Sequence, residues 1–321
     1  MKRIIGFTLA VVLAAATIYI TIPSKKTDLN QKKLTIINFI DHPVLNTIES
    51  ELVAGIRSKY SEHEVDISIL SSQGRVEEIP QLARTVTSRS PDVIVTISTP
   101  VSKGVMKELD GNQKIVYTFV TNPQDLGADL SRTNSTGLSD AVNYSSNIRL
   151  IEEVLGKSTK IGFLYNPNEP NSVSGLESIE KVIDTKSLSL SKVAVMTESD
   201  LPQAVSSLAK TVDVIYVGGD NLTVGSFQII RKIALENNIP VFASDSGSVR
   251  AGAVAGYSVD YEKFGKSSSE VVIEVLKGTE PRNIRRKTIS GDKLIVNLQA
   301  MRAFGIRLPQ NLISSADEVI R

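Results

Sequence analysis

The sequence of 321 residues contains no cysteine and only two histidines. Without cysteine the chain forms no disulfide, carries no thiolate nucleophile and cannot build a zinc–sulfur site. Two histidines leave little room for a histidine-based metal centre. We therefore expect neither a metal nor a cofactor, and any site has to be built from hydroxyls, amides, carboxylates and backbone groups.

An excess of charge of one sign is also missing, since Lys and Arg number 36 against 35 Asp and Glu, a net charge of +1. No long basic run is present, so nucleic acid is not an expected partner. The sequence has no G-x-x-x-x-G-K-[ST] phosphate loop, no G-x-S-x-G elbow and no H-E-x-x-H motif. No motif indicates catalysis, and we expect a protein that is not an enzyme.

A long hydrophobic run stands at the N-terminus, where the stretch from Ile4 to Ile22 carries no charge and follows two basic residues. As a helix it would extend roughly 28 Å, close to the thickness of a bilayer core. The alanines at 14–16 fit a cleavage signal, whereas the apolar continuation to Ile22 favours an uncleaved anchor. Residues 1–22 are predicted to be a signal peptide or membrane anchor, with a linker at 23–33 and an exported remainder.

From Leu34 onward, short β-branched runs alternate with amphipathic stretches. The amphipathic stretches are predicted helices, among them Asn46–Tyr60 and Tyr261–Lys277. Strands that are apolar on both faces, with a helix between each pair, predict an α/β fold with parallel sheets. The predicted strands are Leu34–Ile40, Glu64–Leu70, Asp92–Ile97, Lys114–Phe119, Thr159–Tyr165, Leu188–Val195, Asp213–Val217 and Pro240–Ala243.

The alternation breaks between Asn122 and Asn143, where Gly, Asp, Asn and Ser dominate. We interpret this break as a crossover between two similar Rossmann-like lobes. A polar bend at Ala255–Asp260 and a passage near Thr288–Ser290 predict a return to the first lobe and a second passage to the other. The predicted domains are residues 34–138 plus 260–287 for lobe 1 and residues 139–259 plus 288–321 for lobe 2.

Short polar residues follow the predicted strands, at the sheet edge where helix N-termini expose free N–H groups. Ser98 and Thr99 would hold a carboxylate there through hydroxyls, amides and the helix dipole. Asp220 or Asp245 would pair with an ammonium group from the other lobe. Taken singly, each of these residues is better explained as a helix cap or loop residue. Two lobes that present such loops to each other favour an amino acid bridging a cleft.

Other loop residues have two interpretations each. His42 contacts the ligand or only packs its loop, and Glu169 closes over the pocket or is a solvated charge, which we favour. The amides of Asn122, Asn168 and Asn221 would tune specificity. Sequence alone leaves these alternatives open.

Eight segments after residue 33 together resemble, in order, the solute-binding proteins of bacterial ABC transporters of the tryptophan/tyrosine type. They include "SPDVIVTISTPVSKGV", "YTFVTNPQDLG", "IGFLYNPNEPNS", "VIYVGGDN" and "VFASDSGSVRAGAVAGYSVDYEKFGK". The resemblance implies a periplasmic-binding-protein type I fold, in which three hinge strands join two α/β lobes that close on a ligand. Carried over by position, it implies hinge residues Gly137, Ser139, Tyr257 and Ser290, and ligand-binding residues His42, Ser98, Thr99, Thr121, Asn122, Asn166, Asn168, Asn171, Ser172, Asp220, Asn221 and Asp245.

Three features depart from the family pattern. Asn46 stands where many members have an acidic residue, and Gly218-Gly219 replaces a proline–threonine pair. These two departures weaken a specific prediction of tryptophan. The cysteine that ends the signal sequence of lipid-anchored members is also missing, so a protein anchor or a freely diffusing form has to replace the lipid.

The expected function is that of a monomeric receptor in the periplasm or on the outer face of the cytoplasmic membrane. It would capture a small carboxylate-bearing solute by cleft closure and deliver it to the membrane permease of an ABC transporter. An amino acid is the expected solute, with aromatic ones among the candidates. Two alternatives are a sensory module that signals to a membrane partner and an α/β enzyme with an acidic site around Asp220 and Asp245.

Overall fold

The computed structural model describes residues 31–109, 111–127, 130, 132–185 and 188–321. The predicted N-terminal signal or anchor therefore lies outside the described residues. Within these ranges, no helix combines the length and the apolar character needed to cross a bilayer. Residues Lys32–Arg321 pack as one compact unit.

Strands and helices alternate along most of this unit. The strands are β1 (Lys32–Asn38), β2 (Val65–Ser71), β3 (Val93–Ile97), β4 (Ile115–Thr118), β5 (Ser135–Ala141), β6 (Lys160–Tyr165), β7 (Ser189–Ala194), β8 (Val214–Val217), β9 (Val241–Ala243), β10 (Ala255–Ser258), β11 (Lys287–Ser290), β12 (Lys293–Asn297) and β13 (Glu318–Ile320). The helices are α1 (Pro43–Arg57), α2 (Ile79–Ser88), α3 (Thr99–Glu108), α4 (Tyr144–Leu155), α5 (Pro170–Ile183), α6 (Leu201–Leu208), α7 (Asn221–Gly225), α8 (Phe227–Glu236), α9 (Ser246–Arg250), α10 (Tyr261–Leu276), α11 (Leu298–Ala303) and α12 (Gln310–Ser315). Short 3-10 turns lie at Val76–Glu78, Pro123–Leu126, Glu198–Asp200 and Pro281–Asn283.

The first lobe is built on a parallel sheet with the strand order β11-β5-β4-β3-β1-β2. Every side chain of β3 is buried, as expected for an interior strand covered on both faces. The apolar stripes of α1, α2, α3 and α10 join the same core cluster, for example through Leu52 of α1 and Phe264 of α10. We call this sheet and these four helices lobe 1.

The second lobe combines two sheets. One is parallel with the order β7-β6-β8-β9, and the other has the order β10-β12-β13 with β10 antiparallel to β12. The two sheets adjoin where Val254 N donates to the Val241 carbonyl at 2.7 Å. Helices α4–α9, α11 and α12 complete this part, which we call lobe 2.

The chain passes between the lobes after β5, after β10 and after β11. The three connections meet at Gly291, whose N–H donates to the Ala141 carbonyl at 2.9 Å. A side chain there would lie 3.3 Å from backbone atoms of Ala141, Ser258 and Val259. Glycine therefore lets the three connections pack closely.

The four residues predicted as hinges belong to strands next to these connections. Gly137 and Ser139 lie within β5, Tyr257 lies within β10 and Ser290 ends β11. Their hinge role stays a prediction, as do the exact domain boundaries.

The predicted α/β fold with two lobes is confirmed. Each of the eight predicted strands has an observed counterpart whose two ends lie within two residues of the predicted ends. The helix prediction at Tyr261–Lys277 is confirmed by α10. The strands β5 and β10–β13 were not among the predicted ones. β5 reads STGLSDA, which lacks the β-branched run of a typical strand, although six of its seven residues are buried.

Candidate functional site

A cavity lies between the lobes at the carboxyl ends of the strands, with about 530 Å³ of space not filled by atoms, part of which is open solvent. Lobe 1, lobe 2 and the connections all contribute to the wall. The lining residues are His42, Val44, Ser98, Thr99, Phe119, Thr121, Asp140, Val142, Asn171, Gly219, Asp220, Asn221, Val224, Ser244, Asp245, Val259, Tyr261 and Gly291.

Eight of the twelve residues predicted to bind ligand line this cavity, and Asn122, Asn166, Asn168 and Ser172 do not. Asn122 caps a 3-10 turn by accepting from Gln124 N at 3.1 Å. Asn168 is exposed. Asn166 and Ser172 are buried behind the wall, where Asn166 N donates to Ser172 Oγ at 2.8 Å.

The turn from β3 into α3 is strained at Ser98. Its backbone has φ 89° and ψ 150°, a region that is essentially restricted to glycine. The Ser98 side chain makes no capping hydrogen bond, so the interpretation as a simple N-cap is not supported. The residue is 1% exposed and directly precedes α3, at the helix end where the dipole favours an anion.

A chain of hydrogen bonds connects this turn to a buried carboxylate of the same lobe. Thr121 N donates to Thr99 Oγ1 at 3.3 Å, and Thr121 Oγ1 donates to Asp140 Oδ2 at 3.2 Å. Burial raises the pKa of Asp140 from 3.8 to about 6, while a backbone hydrogen bond and Thr121 act in the opposite direction. Asp140 thus has acceptor capacity left for a ligand cation.

His42 contributes a hydrogen-bond donor. Its Nδ1 accepts from Leu45 N at 3.4 Å as the cap of α1, so the neutral ring carries its proton on Nε2. Burial lowers the pKa of His42 to about 4, against smaller opposite effects of Asn221 and Asp41, and the ring is therefore neutral at pH 7. His42 Nε2 has no hydrogen-bond partner among the described residues.

Glu169 organises the facing edge of lobe 2. It is 2% exposed, so the favoured interpretation as a solvated charge is wrong. Its two oxygens accept from the side chains of Asn166 and Asn171, from the side chain and N–H of Asn221 and from the N–H of Leu222.

These hydrogen bonds join the first turns of α5 and α7. Burial and then the neighbouring charge of Asp220 raise the pKa of Glu169, although its hydrogen bonds favour the charged form. The Asn221 amide held in this way also reaches Ser98 Oγ in lobe 1 at 3.5 Å.

The two aspartates predicted to hold an ammonium group differ in their free capacity. Asp220 accepts from Thr223 N at 2.7 Å with one oxygen and from Asn166 N at 2.9 Å with the other. Asp245 caps α9 by accepting from Ser248 N at 2.7 Å, but its Oδ2 is buried without a partner among the described residues. Asp220 therefore acts as a structural cap, and Asp245 keeps one oxygen free.

Aromatic and aliphatic groups form the apolar wall. Phe119 and Tyr261 meet edge to face with ring centroids 5.6 Å apart. Phe119 has φ 56°, which is unusual for a bulky residue and turns its ring toward α10. Valines 44, 142, 224 and 259 complete this surface.

Sequence reasoning missed Asp140, Phe119, Ser244 and Tyr261 as lining residues. Ser244 directly follows the predicted strand Pro240–Ala243 and could have been included by the same rule that found Ser98, whereas Phe119 was placed inside the predicted strand Lys114–Phe119. Asp140 lies on the unpredicted strand β5. Within the described ranges, no group of three or more His, Asp or Glu side chains is placed to hold a metal ion.

Comparisons with known proteins identify the family. The sequence model described as "ABC transporter substrate binding protein" matches residues 33–320. The chain belongs to this family. Its members are extracytoplasmic, work with the membrane permease of an ABC transporter and are not a class of enzymes. These findings confirm the predicted family and give no support to the sensory or enzymatic alternatives.

Individual relatives of this substrate-binding protein support the same conclusion. A "Tyrosine-binding protein" of Clostridioides difficile (strain R20291) is 31% identical over 291 residues, which are 88% of this chain and 84% of that protein. An ABC domain from Streptococcus pneumonia in complex with L-Trp has a TM-score of 0.85 at 23% identity, over 90% of this chain and 100% of that chain. The ligand-free, open structure of a substrate-binding protein with adhesive properties from Clostridium difficile has a TM-score of 0.65 at 28% identity, over 90% and 99%. The predicted type I fold is confirmed.

Proposed function

We propose that this substrate-binding protein captures an aromatic α-amino acid in the cavity between its lobes and delivers it to its permease. The observation that carries the proposal is the Thr99–Thr121–Asp140 chain, which places an anion-binding turn and a buried carboxylate side by side. The α-carboxylate and α-ammonium groups of an amino acid are attached to one carbon, so their binding groups have to be neighbours.

The carboxylate binds at the N-terminal end of α3. Ser98 and Thr99 supply hydroxyls, and His42 supplies the unpaired Nε2–H. The Asn221 side-chain amide donates to Glu169 and to Ser98 Oγ, and so holds the Ser98 hydroxyl from lobe 2. Three neutral donors and a helix dipole suit a single negative charge that is removed from water.

The ammonium group pairs with Asp140. This assignment differs from the predicted pairing with Asp220 or Asp245. Asp220 accepts from two backbone N–H groups and Asp245 lies on lobe 2, whereas the oxygens of Asp140 share a single hydroxyl donor, that of Thr121. Asp140 has only Thr121 as a side-chain partner in the described residues and is 2% exposed. A buried carboxylate of this kind gains a charge-assisted hydrogen bond when a cation arrives.

The ligand side chain packs against Phe119 and Tyr261. These two rings, packed edge to face, form an apolar surface against which the packing of a third aromatic ring is favourable. The 31% identical relative is named for tyrosine, which is a ligand of this chemistry.

Closure of the two lobes couples binding to delivery. Besides the Asn221–Ser98 contact, Ser174 Oγ of lobe 2 donates to Asp125 Oδ2 of lobe 1 at 2.6 Å. The higher TM-score with the L-Trp complex than with the open structure agrees with a closed arrangement. A ligand that contacts both lobes stabilises this state and shifts the population toward it.

Several further properties belong to the proposal. Residues 1–22 act as a signal peptide or anchor that places the chain in the periplasm or on the outer face of the cytoplasmic membrane. The domains are close to the predicted residues 34–138 plus 260–287 and residues 139–259 plus 288–321, with Gly137, Ser139, Tyr257 and Ser290 at the hinge. The strands β5 and β11 stay whole in lobe 1, which therefore includes Asp140. The protein acts as a monomer, without catalysis, cofactor or nucleic acid.

Isothermal titration of the purified full-length protein tests the function. We expect binding of tyrosine or another aromatic amino acid. Binding should be lost for tyramine, which lacks the carboxylate, and for 3-(4-hydroxyphenyl)propionate, which lacks the amine. Asp140→Asn should weaken binding of every amino acid by about 10- to 100-fold, the effect expected for a hydrogen bond to a charged group. Binding of the amine-free compound as tight as that of tyrosine would contradict the proposal.

A further inference from the structure

Asp245 has an oxygen that the proposed binding of the amino-acid head group does not use. Its Oδ1 caps α9, whereas Oδ2 is buried in the cavity wall without a partner among the described residues. Asp245 is 4% exposed, so bulk water does not satisfy this atom. An unsatisfied buried carboxylate oxygen costs free energy, and this cost is removed when a donor reaches it.

Two hydroxyls near Asp245 are also without partners. Ser244 Oγ and the Tyr216 hydroxyl are buried and make no hydrogen bond with the described residues. Ser244 directly precedes Asp245 in the chain, and both residues line the cavity, whereas Tyr216 lies behind them. Lobe 2 therefore presents one acceptor, Asp245 Oδ2, and one hydroxyl that both donates and accepts, Ser244 Oγ, to the cavity.

The position of this cluster relates it to the ligand side chain. The head-group residues Ser98, Thr99 and Asp140 belong to lobe 1, and Asp245 and Ser244 line the cavity from lobe 2. Tyr261 and Asp245 line the same cavity. A ring that packs on Tyr261 therefore occupies the space that Asp245 and Ser244 also border.

We infer that Asp245, together with Ser244, binds a hydrogen-bond donor on the ligand's aromatic ring and thereby selects tyrosine over phenylalanine. The inference rests on the proposed function. The phenol O–H donates to Asp245 Oδ2, and the phenol oxygen accepts from Ser244 Oγ. Phenylalanine leaves both groups unpaired in a closed, water-poor cavity, which is how such sites reject an analogue that lacks the polar group.

The test compares Asp245→Asn with Asp260→Asn in the full-length protein. Asp260 caps α10 by accepting from Lys263 N at 3.0 Å, the same type of cap, but lies outside the cavity wall. Asparagine caps helices as well as aspartate does, so both variants keep their helix ends. Tyrosine, phenylalanine and 4-fluorophenylalanine, which nearly matches tyrosine in size without an O–H, are titrated by calorimetry.

We expect the wild-type protein to bind tyrosine at least about 10-fold more tightly than the other two compounds. Asp245→Asn should weaken tyrosine binding by about 10- to 100-fold and phenylalanine binding by less than about 3-fold. Asp260→Asn should change neither. Ser244→Ala, which removes no helix-capping side chain, should also weaken tyrosine binding more than phenylalanine binding, by a smaller factor than Asp245→Asn does.

Equal weakening of tyrosine and phenylalanine by Asp245→Asn would overturn the inference and leave the proposed function intact. Equal affinity of the wild-type protein for the two amino acids would do the same. A wild-type protein that binds no amino acid at all would overturn both. Thermal melting of each variant shows whether it is folded, and selective behaviour of Ser244→Ala then decides the matter if Asp245→Asn does not fold.

Discussion

The side-chain amide of Asn221 lies 3.5 Å from the hydroxyl of Ser98, so this polar contact spans the cleft at the strained turn between β3 and α3. Asn221 is fixed from behind by Glu169, which accepts from both its side chain and its N–H. The partner Ser98 is fixed by its backbone between β3 and α3. Asn221 and Ser98 are thus each held in position by their own lobe, independently of the contact between them.

Replacing Asn221 by alanine should weaken ligand binding without unfolding the protein. The variant loses the contact that links the lobes and holds the Ser98 hydroxyl, and we expect affinity to fall by about 5- to 30-fold. Calorimetric titration with the best amino acid measures this. The control is Asn237→Ala, which removes an exposed amide that donates to the Ile233 carbonyl at 2.8 Å, away from the cavity wall. Equal affinities of the two variants would show that Asn221 does not contribute to the closed state.

Replacing Ser98 by glycine should relieve backbone strain. The observed φ and ψ angles cost a non-glycine residue about 1–3 kcal/mol. The greater flexibility of glycine in the unfolded chain offsets about 0.5–1 kcal/mol of this gain. We therefore expect Ser98→Gly to be more stable than Ser98→Ala in urea unfolding by about 1 kcal/mol, within a range of about 0–2.5 kcal/mol, although both bind ligand more weakly. Equal stability of the two variants would mean that Ser98 is not strained.

Ligand affinity should depend on pH through Asp140. The pKa of Asp140 in the free protein is about 6, and a bound ammonium group favours the charged carboxylate and lowers this pKa. Binding therefore releases a proton below pH 6, and affinity should rise with pH up to about 6 and then level off. Titrations between pH 5 and 8 in buffers of different ionisation enthalpy measure both effects. Asp140→Asn should bind weakly with no such rise, and a rise that persists in this variant would assign it to another group.

The stability of the ligand-free protein should fall as pH rises through the titration of Glu169. Its folded pKa is raised from 4.5 to about 7, so the folded chain binds the proton more tightly than the unfolded chain does. The free energy of unfolding therefore decreases between pH 4.5 and about 7. Urea unfolding at several pH values should show a smaller decrease for Glu169→Gln than for the wild-type protein. The exposed Glu236→Gln is the control, and an unchanged slope in Glu169→Gln would assign the decrease to other carboxyl groups.

The architecture was largely predictable because the interior strands are apolar on both faces. β3, for example, reads VIVTI and is buried throughout. β5 was not predictable in the same way, since its small residues fit around neighbouring groups instead of forming an apolar run. A side chain at Gly137 would come within 2.0 Å of the Tyr117 carbonyl, so the strand requires glycine where propensity disfavours it.

The site was predictable where loops directly follow recognised strands, as for Ser98 and Thr99. The partner of the ammonium group could not be predicted, because Asp140 belongs to the unrecognised strand β5 and its free capacity depends on hydrogen bonds made elsewhere. Glu169 shows the same limit. A loop carboxylate in sequence is usually solvated, and only the five donors that converge on it explain why it is buried.

Gly291 joins the three connections and also lines the cavity, with Val142 and Val259 beside it. A ligand in this cavity would therefore lie next to the predicted hinge between the lobes. If the lobes rotate about that hinge, the residues in contact with the ligand move less than the outer faces of the lobes. We therefore expect ligands of different thickness to produce larger differences at those outer faces than inside the cavity.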